Sequence, residues 1–545
     1  MKKLVWFVLA FCSLLLVACS GGQNQSGKLK VMTTFYPVYE FTKQVIGDEG
    51  DVELLIGSGS EPHDFELSAK GRAKIQESDV FVYENENMET WVPQLLKSMD
   101  GKKTKVVKAT ENMLLLPGSE EEHDHEGGEE HHHDYDPHVW LSPQRAIKMV
   151  ETIRDQLVKQ YPDKKDSFTA NADAYIAKLK KLDDSYTKSL SAAKQKNFVT
   201  QHAAFRYLAL DYGLNQVSIS GLSPDSEPSA TRLSELTEYI KKNDIKVIYF
   251  EENASKSLSK TLSAETGVDL AVLNPLESLT DEQMKDGEDY ISIMGANLKS
   301  LELTTTQAGK EIAPEEEEDT KTVANGYFED SAIKDRTLSD YAGDWQSVYP
   351  YLKDGTLDQV FDYKAKLTKS KTAEEYKAYY TTGYKTDVER IVITDKTMTF
   401  YKNGEEKKFE YRYAGKHTLT YTKGNRGVRY LFEATDPNAG EFKYVQFSDH
   451  QIAPNKAAHF HIFFGGESQE ALYNELENWP TYYPSDLSGF EIAQEMLALL
   501  NCAEVGRRNR ILTNYRFLSH SLLYLINGLT FPVQFQIRIS HLDSK

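Results

Sequence analysis

The stretch KDSFTANADAYIAKLKKLDDSYTKSLSAAK, residues 165–194, decides how the first half of this chain is organised. Phe168, Ala172, Tyr175, Ile176, Leu179, Leu182, Tyr186 and Leu190 recur in it at three- and four-residue steps, the period of a helix with one apolar stripe. One long amphipathic helix is expected, and at ~1.5 Å per residue it runs the length of a small domain. On both sides of it, short β-branched or aromatic runs alternate with helical patterns. Lys30-Val31-Met32-Thr33, Val52-Glu53-Leu54-Leu55-Ile56, Val80-Phe81-Val82-Tyr83 and Lys105-Val106-Val107 precede it, and Asn197-Phe198-Val199-Thr200, Val247-Ile248-Tyr249-Phe250 and Asp269-Leu270-Ala271-Val272-Leu273 follow. Such alternation specifies α/β lobes with mostly parallel sheets. Two lobes over residues 28–301, joined by one rigid helix with limited hinge motion, are implied.

Residues 302–325 hold Thr304-Thr305-Thr306, Pro314 and Glu315-Glu316-Glu317-Glu318-Asp319, the composition of an acidic linker. From Gly326 to residue 492 the pattern changes to aromatic-rich alternating strands. Glu389–Ile393, Thr397–Tyr401, Lys408–Tyr413, His417–Tyr421, Val428–Glu433 and Tyr444–Phe447 are expected strands, with a hairpin turn at Lys402-Asn403-Gly404-Glu405. A small antiparallel barrel or sandwich, with some helix at each end, is the implied second unit. Residues 493–545 depart from what precedes them: from Met496 on, Glu504 and Asp543 are outweighed by Arg507, Arg508, Arg510, Arg516, Arg538 and Lys545. They read as an atypical extension without a usable motif.

The beginning of the chain carries an address. Met1-Lys2-Lys3 and the apolar run Leu4 to Val17 have the charge and length of an export signal, over residues 1–18. Leu16-Val17-Ala18-Cys19-Ser20-Gly21-Gly22 matches a bacterial lipoprotein cleavage box, which would make Cys19 an acylated N-terminus at the outer face of the cell membrane. Residues 19–27 then serve as a flexible tether. An ordinary secretory signal with an incidental cysteine is the alternative. Cys12 leaves with the signal and Cys19 carries lipid, so Cys502 stands alone and no intrachain disulfide is expected. The net charge of −20 argues against nucleic acid and anionic membrane surfaces as partners and makes cations natural ligands. A monomer is expected.

Eleven of the fourteen histidines fall into three groupings, and neutral imidazole is the commonest protein ligand for Zn²⁺ and similar metals. In the first, His63 lies just beyond Leu54-Leu55-Ile56, His138 lies in Asp136-Pro137-His138, and His202 follows Asn197–Thr200. Glu277 comes just after the run that ends at Leu273. Several strand ends can thus converge on one crevice, where open α/β sheets bind ligands. The second grouping, His123, His125, His131, His132 and His133, lies in the low-complexity His/acid tract 120–134. Such a tract cannot pack a core; it offers loose, exchangeable ligands, or is simply a solvated acidic loop. The third is His450 with His459-Phe460-His461. A His-x-His pair on an extended strand points both rings to one face, and the Pro454-containing loop can fold His450 back to them.

Residues 28–300, with these histidines in their contexts, resemble the zinc-specific cluster A-I substrate-binding proteins of bacterial ABC importers. The resemblance implies His63, His138, His202 and Glu277 or a solvent molecule as the ligands of one Zn²⁺, where manganese-binding relatives use two histidines with two carboxylates. Residues 326–492, which begin with Leu338-Ser339-Asp340-Tyr341-Ala342-Gly343-Asp344-Trp345-Gln346, resemble the calycin-like ZinT zinc-binding domain. That resemblance implies a β-barrel with a second Zn²⁺ on His450, His459 and His461. Together they imply capture of zinc for an importer's permease and ATPase subunits. Two other classes fit parts of the pattern. Three histidines plus water describe a catalytic zinc in a metallohydrolase, but His125-Glu126-Gly127-Gly128-Glu129 lacks the second histidine of a His-Glu-x-x-His motif. A surface adhesin with structural zinc also suits a tethered protein, and it would unfold on metal removal.

Overall fold

The computed structural model describes residues 27–99, 103–118, 135–224, 229–251, 257–309, 323, 326–421 and 424–508. The expected export signal, Cys19, the tract 120–134, the whole acidic run 315–319 and residues 509–545 lie outside the described residues.

The first unit contains two four-stranded parallel sheets. One has the order β2-β1-β3-β4, from β1 (Leu29–Thr33), β2 (Gly50–Leu54), β3 (Val80–Tyr83) and β4 (Lys105–Lys108). The other has the order β6-β5-β7-β8, from β5 (Asn197–Thr200), β6 (Asn215–Ser218), β7 (Val247–Phe250) and β8 (Asp269–Val272). The central strands β3 and β5 are buried along their whole length, as parallel strands covered by helices on both faces must be. The edge strand β6 was not anticipated, because Asn-Gln-Val-Ser has no apolar run, and it is only half-buried. Strand β2 ends at Leu54 rather than Ile56.

The helix Lys165–Leu190 joins the lobes and buries the eight stripe residues expected of it. Tyr186 has no solvent access, and its hydroxyl donates to the Met294 carbonyl at 2.8 Å. The helix Tyr290–Thr305 continues into the segment assigned to the linker: Thr304 and Thr305 are buried, and Thr304 Oγ1 lies 2.7 Å from the Tyr249 hydroxyl.

The second unit is a closed antiparallel barrel in the order β10-β11-β12-β13-β14-β15-β16-β9. Its strands are β9 (Gly343–Ser347), β10 (Val388–Ile393), β11 (Thr397–Lys402), β12 (Glu405–Thr420), β13 (Arg426–Ala434), β14 (Tyr444–Ser448), β15 (Phe460–Gly465) and β16 (Thr481–Pro484). The expected strands 408–413 and 417–421 are one bent strand. Its first half pairs with β11, its second with β13, and the register shifts between Tyr413 and Gly415. Gly415 sits at φ +110, so the bulge falls where no side chain resists it. At the Asn403-Gly404 turn both residues are left-handed, at φ +52 and +80, as a tight hairpin requires.

The two units share a desolvated seam. Val348, Leu352, Phe361, Tyr384, Tyr483 and Leu497 bury in one cluster with Leu114, Leu116 and Tyr207. The polar contacts are paired: Tyr363 hydroxyl donates to the Leu114 carbonyl (2.6 Å), and the Gln494 side chain bonds both N–H and C=O of Leu115 (2.9 and 2.7 Å). Arg145 grips Asp211 with two bonds (2.8 and 2.9 Å), Lys366 reaches the same carboxylate at 3.0 Å, and Arg145 also donates to Tyr363. The helix Gly489–Arg508 runs across position 493, where an extension was expected to begin. Ile492, Ala493 and Leu497 are core residues of the seam. The boundary that charge composition suggested at residue 493 therefore falls inside a packed helix.

Candidate metal centres

Both sheets of the first unit point the carboxyl ends of their strands at the same crevice, and the chain hangs its chemistry there. His63 lies on the loop after β2, His138 on the segment after β4, His202 two residues beyond β5, and Glu277 on the loop after β8. The Glu277 loop is held by Asn274, whose side chain accepts from Leu276 N–H at 2.7 Å. Asn297 bonds both backbone groups of Asn274 at 2.9 and 2.7 Å. Leu276 consequently takes a left-handed φ of +58. His138 packs on Trp140, whose indole N–H donates to the Pro275 carbonyl at 2.8 Å and so ties the His138 and Glu277 segments together.

The four ligand atoms nearly define a tetrahedron. His138 Nε2 lies 3.1 Å from His63 Nε2 and 3.4 Å from His202 Nε2. Glu277 Oε1 lies 3.6, 3.5 and 3.2 Å from the Nε2 atoms of His63, His138 and His202. A tetrahedral ion with ~2.0–2.1 Å bonds needs ligand atoms ~3.3–3.4 Å apart, so these five edges bracket what Zn²⁺ requires. Glu277 Oε1 is buried and makes no regular hydrogen bond, an arrangement that costs free energy unless a cation or shared protons occupy the centre.

Carboxylates behind the rings orient them. Asp136 Oδ1 lies 2.9 Å from His138 Nδ1 and also accepts the His138 backbone N–H at 3.0 Å. Glu251 Oε1 lies 2.5 Å from His202 Nδ1. With Nδ1 bonded behind, each ring presents Nε2 to the centre. Burial works against a charged imidazole here, but Asp136 and Glu277 outweigh it at His138, and Glu251 and Glu277 at His202. Both rings are raised above the usual imidazole range, His202 strongly. His63 is lowered by burial. For Glu277 burial is outweighed by the imidazoles of His138, His202 and His63 facing its carboxylate, which hold it well below the usual carboxylate range. Glu61, which accepts the His63 backbone N–H at 3.1 Å, is pushed up to about 8 by burial and the Glu277 charge.

In the barrel, His450, His459 and His461 come together with ring centroids 5.5 to 6.2 Å apart. Their ligand atoms lie within 4.8 Å of one another. The expected geometry needs one correction: β15 begins at Phe460, so His459 stands just before the strand rather than on it. Its ring stacks on Tyr483 at 5.1 Å, and His461 Nδ1 lies 2.7 Å from Thr481 Oγ1. Burial lowers all three imidazoles: His459 falls to about 4 with His450 beside it, His461 falls well below the usual range with both neighbours adding to burial, and the Asp449 charge opposes the fall at His450. Among the described residues no carboxylate joins this group, which leaves a coordination position open.

Asp136, Glu251, Glu61, Thr481 and Tyr483 contact these histidines and are not singled out by the sequence. Asp136 and Glu251 sit within two residues of a ligand or at a strand's carboxyl end, and that placement was the available signal. The tract histidines 123, 125, 131, 132 and 133 lie outside the described residues, which resume with the bridge pairing Pro117 and Tyr135.

Residues 31–303 match the family described as zinc-uptake complex component A, periplasmic, and residues 319–499 match ZinT (YodA), a periplasmic lipocalin-like zinc-recruitment family. The zinc-binding lipoprotein AdcA of Streptococcus pneumoniae serotype 4 is 69% identical over 501 residues, 91% of this chain and 100% of that protein. The chain belongs to the AdcA family of zinc-binding lipoproteins. The family's architecture is matched as well: a crystal structure of Zn(II)-bound AdcA from Streptococcus pneumoniae aligns with a TM-score of 0.79 at 69% identity, covering 87% of this chain and 100% of the other. The high-affinity zinc uptake protein ZnuA of Bacillus subtilis is 52% identical over 303 residues, 54% of this chain and 95% of that protein.

Proposed function

We propose that this chain captures Zn²⁺ outside the cell at two sites and delivers it to a membrane ABC importer. The first site is His63, His138, His202 and Glu277, and the second is His450, His459 and His461. The observation that carries this reading is the near-tetrahedral set of three imidazole nitrogens and one orphaned carboxylate oxygen at 3.1 to 3.6 Å. Three nitrogen donors with one oxygen suit borderline-soft Zn²⁺ better than Mn²⁺, which prefers oxygen. Four protein ligands leave no position for a hydrolytic water, which favours capture over catalysis at this site. The ion is cargo: Glu277 supplies the negative charge that draws it in, and protonation of His138 and His202 favours its release.

Cys19 would tether the chain by lipid to the outer face of the membrane, beside the permease and ATPase subunits it serves, as a monomer. The five tract histidines would gather zinc near the crevice. Uptake of radioactive zinc at limiting metal, by cells carrying His202→Ala in place of the native chain, tests the reading. Uptake should fall to the level of a strain without the permease; uptake at the native rate contradicts it.

A further inference from the structure

The second site has one weak joint, and a buried cation holds it. His450 sits at φ +62, a left-handed conformation that its Cβ opposes. It lies on an irregular loop between β14, which ends at Ser448, and β15, which begins at Phe460. His461, by contrast, is fixed by strand pairing to Ser448 and Thr481. Left to itself, the loop would relax and withdraw one imidazole in three.

Arg336 prevents that. It is 1% exposed, and its guanidinium lies over the rings of Tyr341 and Tyr430 at 4.5 and 5.3 Å. Nη1 donates to both carboxylate oxygens of Asp449 at 2.6 and 2.7 Å, and Nη2 donates to the Asn455 carbonyl at 2.5 Å. One planar cation therefore ties the residue before His450 to the far side of the loop, a geometry that the fork of arginine supplies and lysine does not. The flanking segment reinforces it: Lys334 N–H donates to the Ile452 carbonyl and Ala457 N–H to the Asp340 carbonyl, both at 2.8 Å. The strap 334–340 thus spans the loop from one end to the other.

We infer that Arg336 is a positioning residue for zinc at the second site, acting through Asp449 and Asn455 to hold His450 against His459 and His461. This rests on the reading of those histidines as zinc ligands. Partners that orient a ligand typically contribute 10- to 100-fold in metal affinity.

The test uses the full chain with His202→Ala, so that the tightest remaining zinc reports the second site. Arg336→Met should weaken zinc binding about 10- to 100-fold in chelator competition. It should also move the Co²⁺ absorption spectrum toward that of His450→Ala. Arg336→Lys should recover part of the loss, and it carries the test if the methionine variant does not fold. Combined with His450→Ala, Arg336→Met should add nothing. Unchanged affinity, or an equal loss in the presence and absence of His450, overturns the inference. Absence of any zinc in the His202→Ala protein overturns instead the reading on which it rests, and the inference falls with it.

Discussion

Glu251→Gln keeps the shape behind His202 and removes only its charge, so it isolates what that carboxylate does. Glu251 Oε1 stands 2.5 Å from His202 Nδ1, and the two side chains are 6% and 0% exposed. The charge has two opposed effects. It enriches Nε2 as a metal donor, and it also favours the proton that zinc must expel, since it helps raise His202 well above the usual range. Where the imidazole is already neutral, at alkaline pH, only the first effect remains. The variant should then bind zinc about 10- to 100-fold more weakly, ~1.4–2.7 kcal/mol. As the pH falls, native protein spends growing free energy displacing the His202 proton while the variant is spared much of it, and the two affinities should converge. Chelator competition on protein carrying His459→Ala, from about pH 9 to about pH 6, reads both effects. A constant ratio across that range, or no loss at alkaline pH, would refute the reasoning.

The two sites should release different numbers of protons. His138 and His202 are raised above the usual value, so zinc binding should displace more protons there than at the barrel histidines, which burial lowers. Titration calorimetry in buffers of different ionisation heat should show buffer dependence for the first site and little for the second, and on acidification the first should lose zinc at the higher pH. Asp211→Asn leaves Arg145 and Lys366 facing a neutral partner in the seam and should destabilise the protein by about 3–5 kcal/mol, read as a lowered urea midpoint. Metal removal should leave both units folded, with circular dichroism preserved, and zinc at about 1,000 times its dissociation constant should add ~4 kcal/mol of stability. Unfolding on chelation would indicate structural zinc.

The residues that announced the fold were those whose pattern repeats locally. The stripe from Phe168 to Leu190 and the runs Val80–Tyr83 and Asn197–Thr200 carry periodicity that packing rewards wherever they dock. Strand β6 has no such pattern; it exists because β5 offers it an edge. The fusion of two expected strands into β12 depends on a bulge at Gly415 that only barrel closure requires. Histidines pointed to both clusters because so few side chains serve borderline-soft cations, and strand ends told where three of them would meet. Asp136, Glu251 and Arg336 were opaque for the converse reason: acids and arginines are common on any surface, and their roles appear only when folding places them behind a ligand. The seam was equally hidden, since Arg145, Asp211 and Tyr363 become one network only when the two units touch.

Metal stoichiometry tests the central claim most directly. The mature protein is equilibrated with equal Zn²⁺ and Mn²⁺, desalted and assayed by elemental analysis beside His202→Ala and His459→Ala. Two tightly held zincs, with one lost from each variant, is the result expected of two independent capture sites. Predominant manganese, or loss of both metals from either single variant, would contradict the account.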